Sequence, residues 1–537
     1  MDMADQYFPS SSAWSPLRHS VFRALWIAAI VSNVGTWMQN VGGVWLMTSL
    51  TTSSFMVALM QTATSLPVFL VVLPAGAAAD IVDRRRMLLF TQGWMCAAAA
   101  GLSGLTLFGA TTPWLLLLFT FALGLGAAAN MPVWQAVVPG LVPRDELPSA
   151  VALNGVAFNI ARALGPALAG VIVAIAGPGP VFLLNAASFA GIIAVLYRWN
   201  FLPAERSLPA EHVIEAIRTG ARYTVHAAEL RAVLVRCSIF ILSASALWAL
   251  MPVVARYKLG MDAIGFGWFF GCIGAGALIG AAILPILRRK IVTNDLITGA
   301  TVALALVLLL MGYVRNIGLL YGAMILAGAG WMAAMSSFTV AAQIAVPSWV
   351  QARALGFYVL SFQGGMAIAS VIWGAIAQHS GTSLALTCAA IGLLGSLVTA
   401  GIWPMKPGPG ADLTPSLHWP EPSVTVPLDP EEGPVMIMLD YNIDPVHANE
   451  FIPAMYQLGN IRRRDGARHW GLFRDLAVPG RYVETFILDS WAEHLRQHTR
   501  MTVSDRAIED RVKRFHLGDS PPSAFHFVYQ YNRAPGK

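Results

Sequence analysis

Gly76-Ala77-Ala78-Ala79-Asp80-Ile81-Val82-Asp83-Arg84-Arg85-Arg86 closes one long apolar stretch of this chain, and Gly280-Ala281-Ala282-Ile283-Leu284-Pro285-Ile286-Leu287-Arg288-Arg289-Lys290 closes another. The glycine and the basic triplet keep their separation while the whole pattern moves by 204 residues. Val142-Pro143 returns as Val346-Pro347, and Gly170 as Gly374, at the same displacement. Matches this far apart, with no insertion between them, mean that one multi-helix unit is written twice. Parallel repeats of this kind build carriers whose binding site lies between the halves.

The composition agrees. Hydrophobic residues are 56% and charged residues 12% of the 537, far too apolar for a soluble protein of this size. A bilayer crossing needs about 20 apolar residues, and twelve such runs precede Pro404, from 22–47 to 383–403. The expectation is an all-α polytopic membrane protein with one six-helix bundle over 1–202 and a second over 231–403. Residues 203–230 join the bundles and predict a surface helix with Ile214, Ile217, Ala221 and Val225 along one face. Residues 404–434 carry nine prolines and predict an extended, semi-rigid linker. Beyond it the pattern becomes that of a soluble domain over 435–537. A strand is expected at 435–443, a helix at 445–463, a hairpin at 467–476 and 481–488, a helix at 491–515 and a strand at 524–531. That order, βαββαβ, is the ferredoxin-like α+β pattern.

Lysine and arginine gather on one side of the spans: Arg18, Arg23, Arg84 to Arg86, Arg144, the 198–236 stretch, Arg288 to Lys290 and Arg353. Arg256, Lys258 and Arg315 fall on the other side, and Arg162 lies within a span. The rule that positive loops stay inside predicts a multi-pass membrane protein with both termini cytoplasmic. It also accounts for the net charge of +6 without a nucleic-acid partner. The partners expected are the lipid bilayer, a small-molecule substrate and, through the tail, a second copy of the chain. Cys96, Cys237, Cys272 and Cys388 all fall in apolar spans with no metal-like spacing. No phosphate-binding loop of the Gly-x4-Gly-Lys-Ser/Thr type is present. No cofactor, metal or catalytic residue is expected.

Candidates for substrate contact are the polar and aromatic residues of the spans. Asn33, Trp37 and Asn40 share one face of the first helix; Gln61, Asn130, Trp134, Asn159, Arg162 and Gln363 lie in others. An arginine at mid-membrane costs about 2.5–3.5 kcal/mol by insertion scales, so Arg162 is either an anchor for an anionic group or a brace to helix carbonyls. The neutral amides serve equally as bonds between helices. In the tail, His494 and His498 have the spacing of a metal pair but lack a third ligand in sequence, and read as part of a solvated helix face.

The segment from Gly76 to Arg86 resembles the cytoplasmic loop signature of the major facilitator superfamily. Gly76, Asp80, Arg84 and Arg85 stand at matching positions, while Ile81 and Asp83 depart from it and Leu284 replaces the aspartate in the second copy. The resemblance implies a conformational switch in which Asp80 pairs with the facing bundle. Arg162-Ala163-Leu164-Gly165-Pro166-Ala167-Leu168-Ala169-Gly170 resembles the Gly-Pro signature of exporters in that superfamily. There Gly165, Pro166 and Gly170 would kink the fifth helix and pack it closely. Residues 153–166, the stretch Ser32-Asn33-Val34-Gly35-Thr36-Trp37-Met38-Gln39, and the tail from Trp470 to His498 are similar to the enterobactin-exporter-like branch, also described as transmembrane secretion effectors. Thr36 stands where that branch often has aspartate. The branch implies efflux of siderophores or other small amphipathic molecules, with proton coupling. The competing reading is a membrane-tethered enzyme or sensor whose tail, similar to small monooxygenase domains, carries the activity.

Overall fold

A computed structural model of the chain describes residues 14–81, 83–143, 145–198, 213–405, 412–419, 428–518 and 520–530, the side chains of 76–81 and 213–216 excepted. Among the described residues twelve helices are long and apolar enough to cross a membrane. The first six are α1 (Ser20–Leu50), α2 (Ser54–Ile81), α3 (Arg84–Leu107), α4 (Pro113–Val137), α5 (Leu147–Ala176) and α6 (Pro178–Arg198). After α7 (Val213–His226) come α8 (Ala228–Val253), extended by a π-turn at Val254–Lys258, then α9 (Ala263–Arg288), α10 (Thr293–Tyr313), α11 (Ile317–Ile344) and α12 (Gln351–Ser380). The last crossing is α13 (Thr382–Ser396) followed by α14 (Val398–Ile402). The chain divides into two compact units: 1–213 with 234–339 and 358–405, and 214–233 with 340–357 and 406–537.

In the first unit, α1 packs on α5 and α6, α3 on α4 and α6, and α2 on α4. Small residues set the distances. A Cβ on Gly35 would approach Asn185 Oδ1 to 2.7 Å, and beside it Asn185 donates to Gln39 Oε1 at 2.5 Å, tying α6 to α1. Bonds of this kind between helices contribute about 0.6 kcal/mol each in lipid, so close packing carries most of the stability. Two seams join the halves. On one, α5 meets α9, and a Cβ on Gly170 would lie 2.7 Å from the Ala263 carbonyl. On the other, α12 meets α2, with Gly374 against Ala58 and Thr62 donating to the Ala367 carbonyl at 2.9 Å. Gly170 and Gly374 are the repeated pair, and each lets a helix of one half touch the other half.

The second unit holds a four-stranded antiparallel sheet in the order β2-β3-β1-β4, made of β1 (Val435–Asn442), β2 (His469–Arg474), β3 (Arg481–Leu488) and β4 (Ser523–Val528). Helix α15 (Ala448–Asp465) follows β1. Where one helix was expected over 491–515, there are two, α16 (Trp491–Arg500) and α17 (Val503–Lys513). Thr502 breaks the run: its side chain accepts from the Asp505 amide while Asp505 bonds back to the Thr502 backbone, a reciprocal cap that starts a new helix. Part of the proline-rich stretch is not a spacer. Residues 412–416 run along this break, with Val503 and Ser504 donating to the carbonyls of Thr414 and Asp412; 406–411 and 420–427 lie outside the described residues.

Helix α7 also differs from expectation. Its buried side is Thr219, Gly220 and Tyr223, whereas Val225 is exposed. Tyr223 packs edge-on against Trp349 and donates to the Ala345 carbonyl, and Gly220 sits against Arg353 and Phe357. An aromatic hydroxyl with a partner won the face that a purely aliphatic stripe suggested. Ile214 lies outside the described side chains.

Candidate functional site

Gly165 positions the site. A Cβ there would come within 2.6 Å of Trp37 Cβ and 3.1 Å of the Val34 carbonyl, so only glycine lets α5 approach α1 at this level. Arg162, one turn earlier on α5, then lies over the Trp37 ring, its guanidinium carbon 5.8 Å from the centroid. Rings continue from there. Trp37 meets Phe158 and Phe270 edge-on at 6.1 and 6.2 Å. Phe270 meets Trp248 at 5.6 Å, Trp248 meets Trp331 at 5.3 Å, and Trp331 meets Phe362 at 6.3 Å. The series draws on α1, α5, α8, α9, α11 and α12, so both halves contribute.

Two polar groups along this series lack partners. Among the described residues the Arg162 guanidinium makes no hydrogen bond, and the buried Trp248 indole nitrogen has none either. One cation–π contact contributes about 0.5–2 kcal/mol, less than the cost of the charge at mid-membrane. An anionic or acceptor-bearing aromatic molecule would meet both needs.

The other candidates divide between this series and bonds within or between helices. Asn33 and Asn40 are half-buried on α1 beside Trp37, and Gln363 is half-buried on α12 next to Phe362. Gln61 donates to Ser65 on its own helix. Asn159 donates to the Gly155 carbonyl, also on its own helix. Asn130 accepts from Thr91 and Gln92 of α3, a bond between helices. Trp134 packs with Leu25, Leu88 and Val133 towards the basic end of the first bundle, away from the rings. Phe158, Trp248, Phe270, Trp331 and Phe362 do not stand out in the sequence, where nothing separates a cavity aromatic from one facing lipid.

At the sparsely charged end the halves meet. The Tyr257 hydroxyl lies 2.6 Å from the carbonyl oxygens of both Thr48 and Thr51, which share its one proton. Arg256 lies over the Trp45 ring at 4.4 Å, and Trp45 stacks on Phe266. Ser53, 204 residues before Tyr257, donates to Gln378 of the second half. Towards the basic end, Val151, Val156 and Phe158 of α5 are exposed and nothing approaches Gly155. Within the first unit, these contacts between the halves gather at the sparsely charged end.

Of the switch residues, Gly76 and Asp80 have side chains outside the described residues. Arg84 donates to the Ala136 carbonyl at the end of α4, and Arg85 to the carbonyls of Leu196 and Tyr197 at the end of α6. Both cap helix C-termini. In the second copy, Arg288 donates to Ser336.

In the tail the expected solvated histidine face is wrong for His494, which is 3% exposed. It sits against Trp491, His498 and His526, with its Nε2 3.1 Å from His526 Nε2. Burial first, then the His498 and His526 charges, hold His494 down to about 3, and burial with the His526 charge holds His498 down to about 4. No group among the described residues has the arrangement of a metal site. Trp470 is buried with its indole donating to Glu484, and His469 is exposed.

The profile of a family described as "Transmembrane secretion effector" matches residues 11–534. The enterobactin exporter EntS of Escherichia coli O1:K1 is 26% identical over 382 residues, covering 70% of this chain and 90% of the relative. EntS of Shigella boydii serotype 18 is 26% identical over 389 residues with the same coverage. The solved bacterial homolog of the human lysosomal transporter Spinster, inward-facing and occupied, superposes with a TM-score of 0.57 at 12% identity, covering 72% of this chain and 97% of that one. A POT family transporter in complex with 5-aminolevulinic acid gives 0.57 at 12% identity, covering 71% and 96%. At such identities these structures establish the fold alone.

Proposed function

The chain belongs to the transmembrane secretion effector family, and from that premise we propose that it exports small amphipathic, anionic aromatic molecules, siderophores among them, across a bacterial inner membrane. One observation carries the choice of substrate: Arg162 faces Trp37 with no hydrogen-bond partner, at the head of a series of rings supplied by both halves. The family supports transport, and the similarity to EntS supports export. The positive-inside rule, which favours cytoplasmic termini, makes the end with the Tyr257 and Ser53 contacts the outer one. Gly165 and Pro166 hold α5 against α1, Gly170 forms the outer seam, and Asp80 belongs to the switch that the loop signature implies, with Arg84 and Arg85 fastening the ends of α4 and α6 beside it.

Proton antiport is the coupling that the resemblance implies. Among the described residues the acidic side chains of the spans, Glu229 and Asp295, sit in the first turns of α8 and α10. Self-association through the tail belongs to the same proposal, since β4 exposes Phe525 and Phe527 on one face. The test is uptake into inverted membrane vesicles energised by respiration, comparing an anionic catechol with its neutral methylated analogue. The anionic compound should accumulate and be lost when the proton gradient is collapsed. Equal uptake of the two would refute the substrate reading, and uptake insensitive to the gradient would refute the coupling.

A further inference from the structure

A cavity of about 400 Å³ in the second unit is lined by Arg218, Arg222, His226, Arg463, Ala467 and Arg468. Three of these come from α7, Arg463 from the end of α15, and Ala467 and Arg468 from the run into β2. Every charged residue of the lining is basic. The nearby carboxylates are already occupied: Asp489 pairs with Arg468, and Glu493, 3.2 Å from Arg222, also pairs with Arg500 at 2.5 Å.

Donors remain over. The Nε of Arg222 is buried without a hydrogen-bond partner, and the Arg218 side chain makes no ion pair or hydrogen bond among the described residues. Arg463 lies over the Trp470 ring at 5.2 Å, which leaves most of its donors for the cavity. Burial, together with the charges of Arg463, Arg222 and Arg231, holds the His226 imidazole below its usual range, as expected of a base crowded by cations. Gathering like charges is unfavourable unless an anion offsets them, and planar guanidinium forks match phosphate oxygens two at a time.

We infer that this pocket is a binding site for a phosphate group, carried by a lipid headgroup or by a soluble phosphate compound, that bridges helix α7 to the ferredoxin-like domain. Its lining joins the segment between the two bundles to the tail, so occupancy would fasten the two together within this unit. The inference stands on the cavity alone and is independent of what the spans transport.

The experiment uses the purified full-length protein stripped of lipid in neutral detergent. Two probes separate the sources: inorganic pyrophosphate by calorimetric titration, and nanodiscs of phosphatidylglycerol against phosphatidylcholine, with retained lipid counted by native mass spectrometry. Either pyrophosphate binding or selective retention of phosphatidylglycerol is expected, and which one appears identifies the source. Arg218→Gln and Arg463→Gln should each weaken that binding at least tenfold, with the melting temperature of the unliganded protein within about two degrees of the parent. Arg231→Gln, outside the cavity lining, should leave binding unchanged. No binding of either probe, or equal weakening by Arg231→Gln, would overturn the inference.

Discussion

The Tyr257 hydroxyl lies 2.6 Å from the carbonyl oxygen of Thr48, joining the end of the first helix of the second half to the end of the first helix of the first half. The same hydroxyl is shared with the Thr51 carbonyl at 2.6 Å. Tyr257 lies in a π-turn, a rare local geometry often found at functional positions. Tyr257→Phe keeps the ring and removes only this link, whose net value is about 0.5–1.5 kcal/mol. The closed population should fall by roughly two- to twelvefold against the alternative state. Labelling of a cysteine placed at Thr51 should accelerate accordingly; an unchanged rate would show that the link does not hold this end shut.

Gly170→Leu should block closure of the α5/α9 seam, because even a Cβ would lie 2.7 Å from the Ala263 carbonyl and 3.1 Å from Gly267 Cα. Transport should drop by an order of magnitude or more with normal membrane abundance. Gly155→Ala, where nothing lies within 4 Å, should leave the melting temperature unchanged or slightly raised, since alanine favours the helix by about 1 kcal/mol.

Arg162→Ala should reduce transport of anionic compounds at least tenfold and of neutral analogues far less, while Arg162→Lys retains part of the anionic activity because the charge remains. If both variants instead lower the melting temperature and affect all compounds alike, Arg162 is a structural brace.

Glu484 is fully buried and receives Arg462 at 3.2 Å, the Trp470 indole at 2.8 Å and the Tyr441 hydroxyl at 3.3 Å. Glu484→Ala would leave the Arg462 charge buried and unpaired, a loss of about 3–5 kcal/mol in the stability of the tail. Hydrogen exchange over β1 and β3 in the full-length protein should quicken by two or more orders of magnitude, with little change in the spans.

The tail should also weaken in acid. His494 and His498 are held at about 3 and about 4 when folded, against 6.5 for an ordinary histidine. The unfolded chain therefore binds more protons between those limits, so stability is full above about pH 6.5 and is lost as the pH falls towards 3. Exchange protection in β1 and β4 should decline over that window. His494→Gln should flatten the decline; an identical slope would place the acid sensitivity elsewhere.

The twelve crossings are legible in the sequence because a soluble fold has no room for so many unbroken apolar runs of bilayer length, and the repeat is legible from Gly76, Gly170 and their counterparts. The aromatic series is not. Trp248 and Trp331 sit in helices that are apolar on every side, where periodicity carries no information about which face meets a cavity. Polar residues stand out in such helices, yet Asn130 and Asn159 have neighbours within their own half that satisfy them. The break between α16 and α17 is written in Thr502-Val503-Ser504-Asp505, a capping box set inside an otherwise helical pattern. The burial of His494 is hidden because its charged neighbours Glu493 and Arg496 suggest a wet face, while it turns to His526 on a strand far along the chain.

Arg84 and Arg85 are bonded to the last carbonyls of α4 and α6, which makes them rivets of a single bundle. Their partners are peptide dipoles with no titratable group, at distances far shorter than a Debye length. That corner of the molecule should therefore be insensitive to both ionic strength and mild acid. Any dependence of the transport cycle on salt would then originate at other charges, Arg162 among them, and a bundle fastened in this way moves as one stiff body when the halves rock.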